Sequence, residues 1–484
     1  MTILSRLFPA RLRSARVCAG SRSPRRARAA RGALAGLLAG AMALVPTHPV
    51  EAQGRSLAIV RDAEIERLLA DYARPIFRTA GISEDGTRIV LINDTSFNAF
   101  VADGRRIFIN IGALMQAETP NEIIGVIAHE TGHIAGGHLA RLRQEVANAQ
   151  VLSIVGMMLG AGAMAGAVSG GSNVGNPGLG AAGIFSGSQE MVRRNLLSYQ
   201  RSEEQAADIA AVRYLTATGQ SPVGMITTFR RFADTGLFRS SAVDPYLMSH
   251  PLPAERIAQL ERLAADSPYR DRRDPPALQR RHDLARAKLF GFVGSPESVL
   301  RRYPPHDTSA PSRYARAVVN HRTGRSREAI ELIDSLIREE PGNAYFQELR
   351  GQLLLESARP QEAAEALRRA VSLSDGAPTI RVLYGQALIA RGDGASLEEA
   401  VRQLERATRA EPEAPEPFRH LAMAYGRTGQ IGLAELATAE YYMAAGDIVN
   451  GQTQAFRAMR SLVEGSPGWR RAKDIYEFVP ENRR

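Results

Sequence analysis

The sequence predicts an α+β domain followed by an all-α repeat solenoid. Three observations carry that expectation. A β-rich stretch with a hairpin signal lies between amphipathic helices in the first half of the chain. One of those helices bears two histidines four residues apart, with a glutamate beside the first. The second half repeats itself at intervals of 34 to 37 residues. At 484 residues the chain exceeds what a single core holds, so two or three domains are expected.

The formal net charge of +10 suggests a nucleic-acid partner, but its distribution argues against one. Residues 1–52 hold nine Arg, no Lys and one acid (Glu51), a net +8, which leaves +2 for the rest. The basicity belongs to a leader, so no nucleic-acid partner is expected. An apolar run from Gly32 to Val45 follows the arginines, Pro46 breaks it, and Val50-Glu51-Ala52 offers small residues at cleavage positions. Residues 1–52 are therefore read as a signal peptide, which places the mature chain in the periplasm. The one cysteine, Cys18, lies inside that leader. Disulfides, thiolate nucleophiles and Cys-ligated zinc are excluded together, and a metal must be held by His and carboxylate.

In the mature chain, residues 55–80 read as an amphipathic helix, with Ile65, Leu68, Leu69 and Ile76 on one side and Asp62, Glu64 and Glu66 elsewhere. Strand-like runs follow at 88–93, 98–101 and 106–111, the last two joined by Asp103-Gly104, a hairpin signal. Thr119-Pro120-Asn121-Glu122 then opens a helix with a capping box and a proline in the first turn. Residues 146–189 carry no charge and are glycine-rich; three readings stand open there. They are a buried helix leading into a flap, a peripheral lipid-contacting hairpin, and a membrane span. Another helix is expected over 202–218, closed by Gly219 with Pro222 behind it.

The charged, proline-rich residues 266–281 read as a linker between a domain at 53–265 and a repeat region at 282–484 that is expected to fold by itself. Ala329, Ala363, Ala400 and Ala434 are spaced 34, 37 and 34 residues apart, and turn formers Pro341, Asp375, Pro412 and Gly446 follow each by twelve. That is the tetratricopeptide period, with an insertion at Gly392–Ala395.

The helix from Pro120 contains His129-Glu130-Thr131-Gly132-His133. The i, i+4 spacing puts both imidazoles on one face, where they can hold one zinc ion, while Glu130 beside that face can act as general base. A catalytic zinc takes three protein ligands. In a chain without mature cysteine, Glu204 on the 202–218 helix is the best third candidate, with Glu203 as runner-up. Asp208, one turn on, can accept the other ring N–H of a ligand histidine. The fold class this gives is an α+β zincin-type metallopeptidase domain followed by an all-α TPR solenoid, with one Zn2+ per chain.

With these residues, the Arg201/Glu204/Asp208 pattern and Asn98-Ala99-Phe100, the chain resembles the gluzincin zinc peptidases related to HtpX and the yeast CAAX prenyl protease. A leader, a soluble protease and C-terminal repeats together resemble their periplasmic BepA-like branch. The resemblance implies an endopeptidase that degrades misassembled envelope and outer-membrane proteins, with the repeats contacting the outer-membrane assembly machinery. It also implies a strand beside the zinc that pairs with extended substrate, placed at Asn98, Ala99 and Phe100. His138 matches a position often His in the family and is read as structural. Ser249-His250-Pro251 is similar to a segment of the BepA-like proteins, and three readings of His250 stand open: a surface histidine, a transition-state stabiliser, or a fourth, regulatory ligand. The rival to the enzyme is a chaperone-like assembly factor whose protease site is largely latent.

Overall fold

The computed structural model describes residues 58–84, 86–147, 199–236, 250 and 254–480. Residues 1–52, read as a signal peptide, and nearly all of 146–189 lie outside the described residues. Among those described, no helix is long and apolar enough to cross a membrane.

A four-stranded sheet and the helices beside it form the first half. The chain starts with β1 (Ile59–Val60) and α1 (Ala63–Ala80). Then come β2 (Arg88–Ile92), β3 (Ala99–Val101) and β4 (Arg106–Asn110). The expected 55–80 helix is thus shorter by eight residues. Ile59 and Val60 pair antiparallel with Ile92 and Leu91, and Asp62 caps α1 by accepting from the Ile65 N–H at 3.0 Å. Sheet order is β1-β2-β4-β3, with β2 and β4 parallel and β3 antiparallel to β4 on an open edge. The β3–β4 hairpin forms as its sequence predicts. Gly104 takes a positive φ of 75°, and Asp103 Oδ1 accepts from the Arg105 and Arg106 N–H groups.

After the short α2 (Ile111–Gln116), α3 (Pro120–Gly136) opens with the capping box of Thr119 and Glu122 in place. Nearly every side chain of α3 through Gly132 is buried, because it runs through the core against α1, β3 and α6 (Val223–Gly236). Helical residues 138–147 form α4, helical residues 199–217 form α5, and α7 is Ala254–Ala265.

The second half is helical throughout. Its first helix, α8 (Pro276–Val293), begins inside the stretch expected to be a linker and runs through the expected 281/282 boundary. Short α9 (Pro296–Arg302) follows. Then come the consecutive pairs α10 (Ala310–Arg322) with α11 (Ser326–Glu339), α12 (Ala344–Glu356) with α13 (Pro360–Leu373), α14 (Pro378–Arg391) with α15 (Gly394–Ala410), and α16 (Pro415–Arg427) with α17 (Ile431–Ala444). Helices α18 (Ile448–Ser461) and α19 (Pro467–Tyr476) close the array. Ala329, Ala363 and Ala400 are fully buried. A Cβ on Gly351 would lie 2.4 Å from Leu367 Cγ, and one on Gly385 2.7 Å from Leu404 Cγ, so both pairs cross at the same close point. The expected insertion at Gly392–Ala395 is mostly helix: α15 has 17 residues where α11, α13 and α17 have 14.

The two halves share buried charge. Lys288 on α8 lies 2.7 Å from Asp62, 3.4 Å from Glu64 and 3.6 Å from Glu348, and the Tyr314 hydroxyl donates to Glu64 at 2.9 Å. The His282 Nε2–H donates to the Ala117 carbonyl, so Nδ1 accepts from the Tyr72 hydroxyl. Asp62 and Glu64, expected on the polar side of α1, are therefore buried against the repeats. A fragment starting at residue 282 would lose both as partners of Lys288 and leave that charge undercompensated, which argues against independent folding of the repeats.

Burial pushes the Glu348 carboxyl up to about 7; Lys288 opposes the rise, while Asp62 and Glu64 add to it. An acid whose folded pKa exceeds its unfolded value binds a proton on folding, so stability falls as pH climbs from the ordinary carboxylate range through about 7. Glu348→Gln should therefore gain on the order of 1 kcal/mol over wild type at pH 8 and little at pH 4. Urea melts at the two pH values check this; a difference independent of pH would refute it.

Candidate active site

Helix α3 carries His129, Glu130 and His133, and α5 crosses it close enough to bring Glu204 between the two imidazoles. Gly132 permits the crossing, since a Cβ there would lie 2.9 Å from the Ala207 carbonyl oxygen and 3.0 Å from Ala207 Cα. Ala207 and Ala211 are fully buried, as their spacing predicts. His250, four residues before α7, completes the group: one ligand atom each from His129, His133, Glu204 and His250 lies within 4.8 Å of all the others.

The distances define a compact focus. His129 Nε2 is 3.1 Å from His133 Nε2, and the Glu204 oxygens lie 3.4 and 3.3 Å from these two nitrogens. His250 Nδ1 is 3.0 Å from Glu204 Oε1 and 3.4 Å from His129 Nε2, while its Nε2 is 3.4 Å from Glu130 Oε1. At 5 % exposed, His250 is no surface histidine. Asp208 Oδ1 stands 2.9 Å from His129 Nδ1. Glu203, the runner-up ligand, faces away from the focus and pairs with His138 and Arg141.

Two side chains gain roles that the sequence did not suggest. Arg256 on α7 is 1 % exposed and bridges the acids, with Nη1 2.9 Å from Glu204 Oε2 and Nε 2.8 Å from Asp208 Oδ2. Its guanidinium also lies 5.4 Å over the Phe229 ring, whose edge meets His129. A signal was present: Arg256, Leu260 and Ala264 share one buried helical stripe, where a charge needs a partner. His138, buried against His133, is the second.

Electrostatics show what the focus wants. Burial alone would raise the Glu204 carboxyl, but His250, His129 and His133 hold it far below the usual carboxylate range. For His129, burial pulls downward, yet Asp208 and Glu204 outweigh it and raise the imidazole to about 10. Burial pushes His133 below its ordinary value. With His129 Nδ1–H directed to Asp208, its Nε2 faces the His133 nitrogen and the Glu204 oxygens, and the raised imidazole holds there the positive charge that a bound cation would replace. Both Glu130 oxygens are buried, and among the described residues neither accepts a hydrogen bond. A focus that draws positive charge to ring nitrogens beside a carboxylate fits a cation, and imidazole plus carboxylate suit zinc among the divalent metals.

Comparison with known families agrees with this geometry. Residues 60–264 match the model of Peptidase family M48. They form a family M48 peptidase domain. The M48 domain makes this chain a metalloprotease and spans everything from β1 to α7. Several relatives carry the name beta-barrel assembly-enhancing protease. The one from Yersinia pestis is 25 % identical over 70 % of this chain and 68 % of its own length. The one from Escherichia coli K12 is 26 % identical over 66 % of this chain and 63 % of its own, so the chain spans less than two thirds of that protein. The metalloprotease LoiP of Escherichia coli K12 is 30 % identical over 32 % of this chain and 54 % of its own length.

A strand is present where substrate pairing is expected: β3 starts at Ala99, lies on the sheet edge and packs against α3. Asn98 precedes it, with its carbonyl accepting from the Asn110 N–H at 2.9 Å. Ala99 is fully buried, and the Phe100 ring stacks on Phe108 at 5.2 Å.

Proposed function

We propose that the chain is a zinc endopeptidase of the periplasm that cleaves misassembled envelope and outer-membrane proteins. The convergence of His129, His133 and Glu204 beside the buried Glu130 carboxylate carries this reading. Zinc, when bound, supplies Lewis acidity that polarises a peptide carbonyl and lets water attack near neutral pH. Glu130 takes the water proton and returns it to the leaving amine. Asp208 and Arg256 hold His129 and Glu204 in their orientations. Substrate lies along β3, whose open edge binds backbone and reads sequence weakly, as quality control requires. The relatives' name and the leader support the location and substrate class. The equal crossings at Gly351 and Gly385 support a tetratricopeptide solenoid that recruits partners such as the outer-membrane assembly machinery. Residues 146–189 remain the candidate for peripheral membrane contact. Zinc content and casein cleavage of the purified mature chain test the reading; a chain that binds no zinc would sink it.

His250 favours a second, latent state of the same enzyme, which also accommodates the rival reading of an assembly factor with a silent site. Its imidazole lies between Glu130 and Glu204, where the attacking water must stand. The ring has to move aside before Glu130 can reach water. His250→Ala should therefore raise basal cleavage of an unfolded substrate several-fold, with zinc content nearly intact. A loss of cleavage at constant zinc would point instead to transition-state stabilisation.

A further inference from the structure

We propose that His138 is a positioning residue for the metal site, fixing the tautomer and aim of His133 through a relay anchored on Glu203 and Arg141. This rests on the zinc reading above and extends it to residues outside the ligand set.

The relay follows from which atoms can carry protons. His138 Nε2 lies 2.7 Å from Glu203 Oε2, and a carboxylate oxygen there demands an N–H donor. Arg141 Nη2 donates to the same oxygen at 2.8 Å, holding the carboxylate in place. With its proton on Nε2, neutral His138 presents a bare lone pair at Nδ1. That lone pair sits 2.8 Å from His133 Nδ1, which must then be the N–H partner. His133 is left with its own lone pair on Nε2, the atom that faces His129 and Glu204. Asp208 does the same for His129 directly. The two ligand histidines are thus oriented by different devices: one by a carboxylate, the other by a second imidazole backed by a carboxylate.

The backbone is shaped for this contact. Helix α3 ends at Gly137, whose φ of 67° turns the chain back in the left-handed region, and His138 folds over the last turn. A Cβ on Gly136 would stand 2.1 Å from His138 Nε2, so only glycine leaves room for the ring. His138 is 6 % exposed, and its ring meets that of His133 edge-on at 4.9 Å.

The test measures zinc affinity of the mature full-length chain by chelator competition, with melting of the metal-free protein alongside. His138→Leu should weaken zinc binding by about 10–100-fold, the range for outer partners of metal ligands, at unchanged stoichiometry and metal-free melting temperature. His138→Asn, whose amide oxygen can still accept from His133, should recover most of the affinity. Cobalt(II) substituted for zinc should show an altered visible spectrum in the Leu variant only. Wild-type affinity in His138→Leu would overturn the relay while leaving the zinc site standing. Equal losses in both variants together with lower metal-free melting would overturn it in favour of packing. A wild-type chain that binds no zinc would overturn the metal reading and the relay together.

Discussion

Glu130→Gln should lower casein cleavage by about 10²–10⁴-fold, the usual contribution of a general base, while zinc content stays at one per chain. Glu130 is fully buried, and among the described residues neither of its oxygens is hydrogen-bonded; Oε1 lies 3.4 Å from Nε2 of His250. Glutamine keeps the shape but cannot take a proton from water. Because the carboxylate has no donor to lose, the substitution breaks no hydrogen bond of the fold, and melting of the variant should not fall. That separates chemistry from structure: retained metal and retained melting with lost cleavage assign Glu130 as the base. Cleavage near the wild-type rate would remove it from the mechanism. If cleavage is lost but the variant still supports envelope assembly in cells, the assembly-factor role gains at the expense of the protease.

Local signals predicted local structure well. The capping box at Thr119, the Asp103-Gly104 hairpin and the i, i+4 histidines each depend on residues close in sequence, and each appears where its spacing puts it. The place of Glu204 beside the two histidines was legible for a different reason: with the one cysteine in the expected leader few residue types remained as a third ligand, and Glu204 shares a helix with Asp208. Long-range pairing was not legible. Tyr314 and Glu64 are 250 residues apart, and periodicity in α1 cannot say whether its polar side meets water or Lys288. The same limit hid Arg256 and His138. Each is a polar residue whose partner sits on another helix, and a pattern within one helix reports only that a face is buried, not what charge awaits it. The helix that begins at Pro276 was missed because proline-rich charged sequence reads as linker, although proline also suits a first helical turn.

Glu204→Ala should abolish stoichiometric zinc binding, whereas Glu203→Ala should retain one zinc per chain with less than about tenfold loss of affinity. The neighbours sit on one helix, yet point to different tasks. Glu204 places its oxygens 3.3 and 3.4 Å from the two ligand nitrogens and receives Arg256 at 2.9 Å. Removing it takes a ligand from the focus, takes one acid from Arg256, and leaves three imidazoles as the candidate ligands for a dication. Glu203 only steadies His138, and Arg141 beside it is more than half exposed, so water can replace part of what the carboxylate supplies. The loss for Glu204→Ala should therefore exceed the 10–100-fold typical of outer partners, and cleavage should vanish with it. Metal analysis after dialysis against a weak chelator distinguishes the two variants. Equal retention of zinc would remove Glu204 from the ligand set, and a reversed order would hand its place to Glu203.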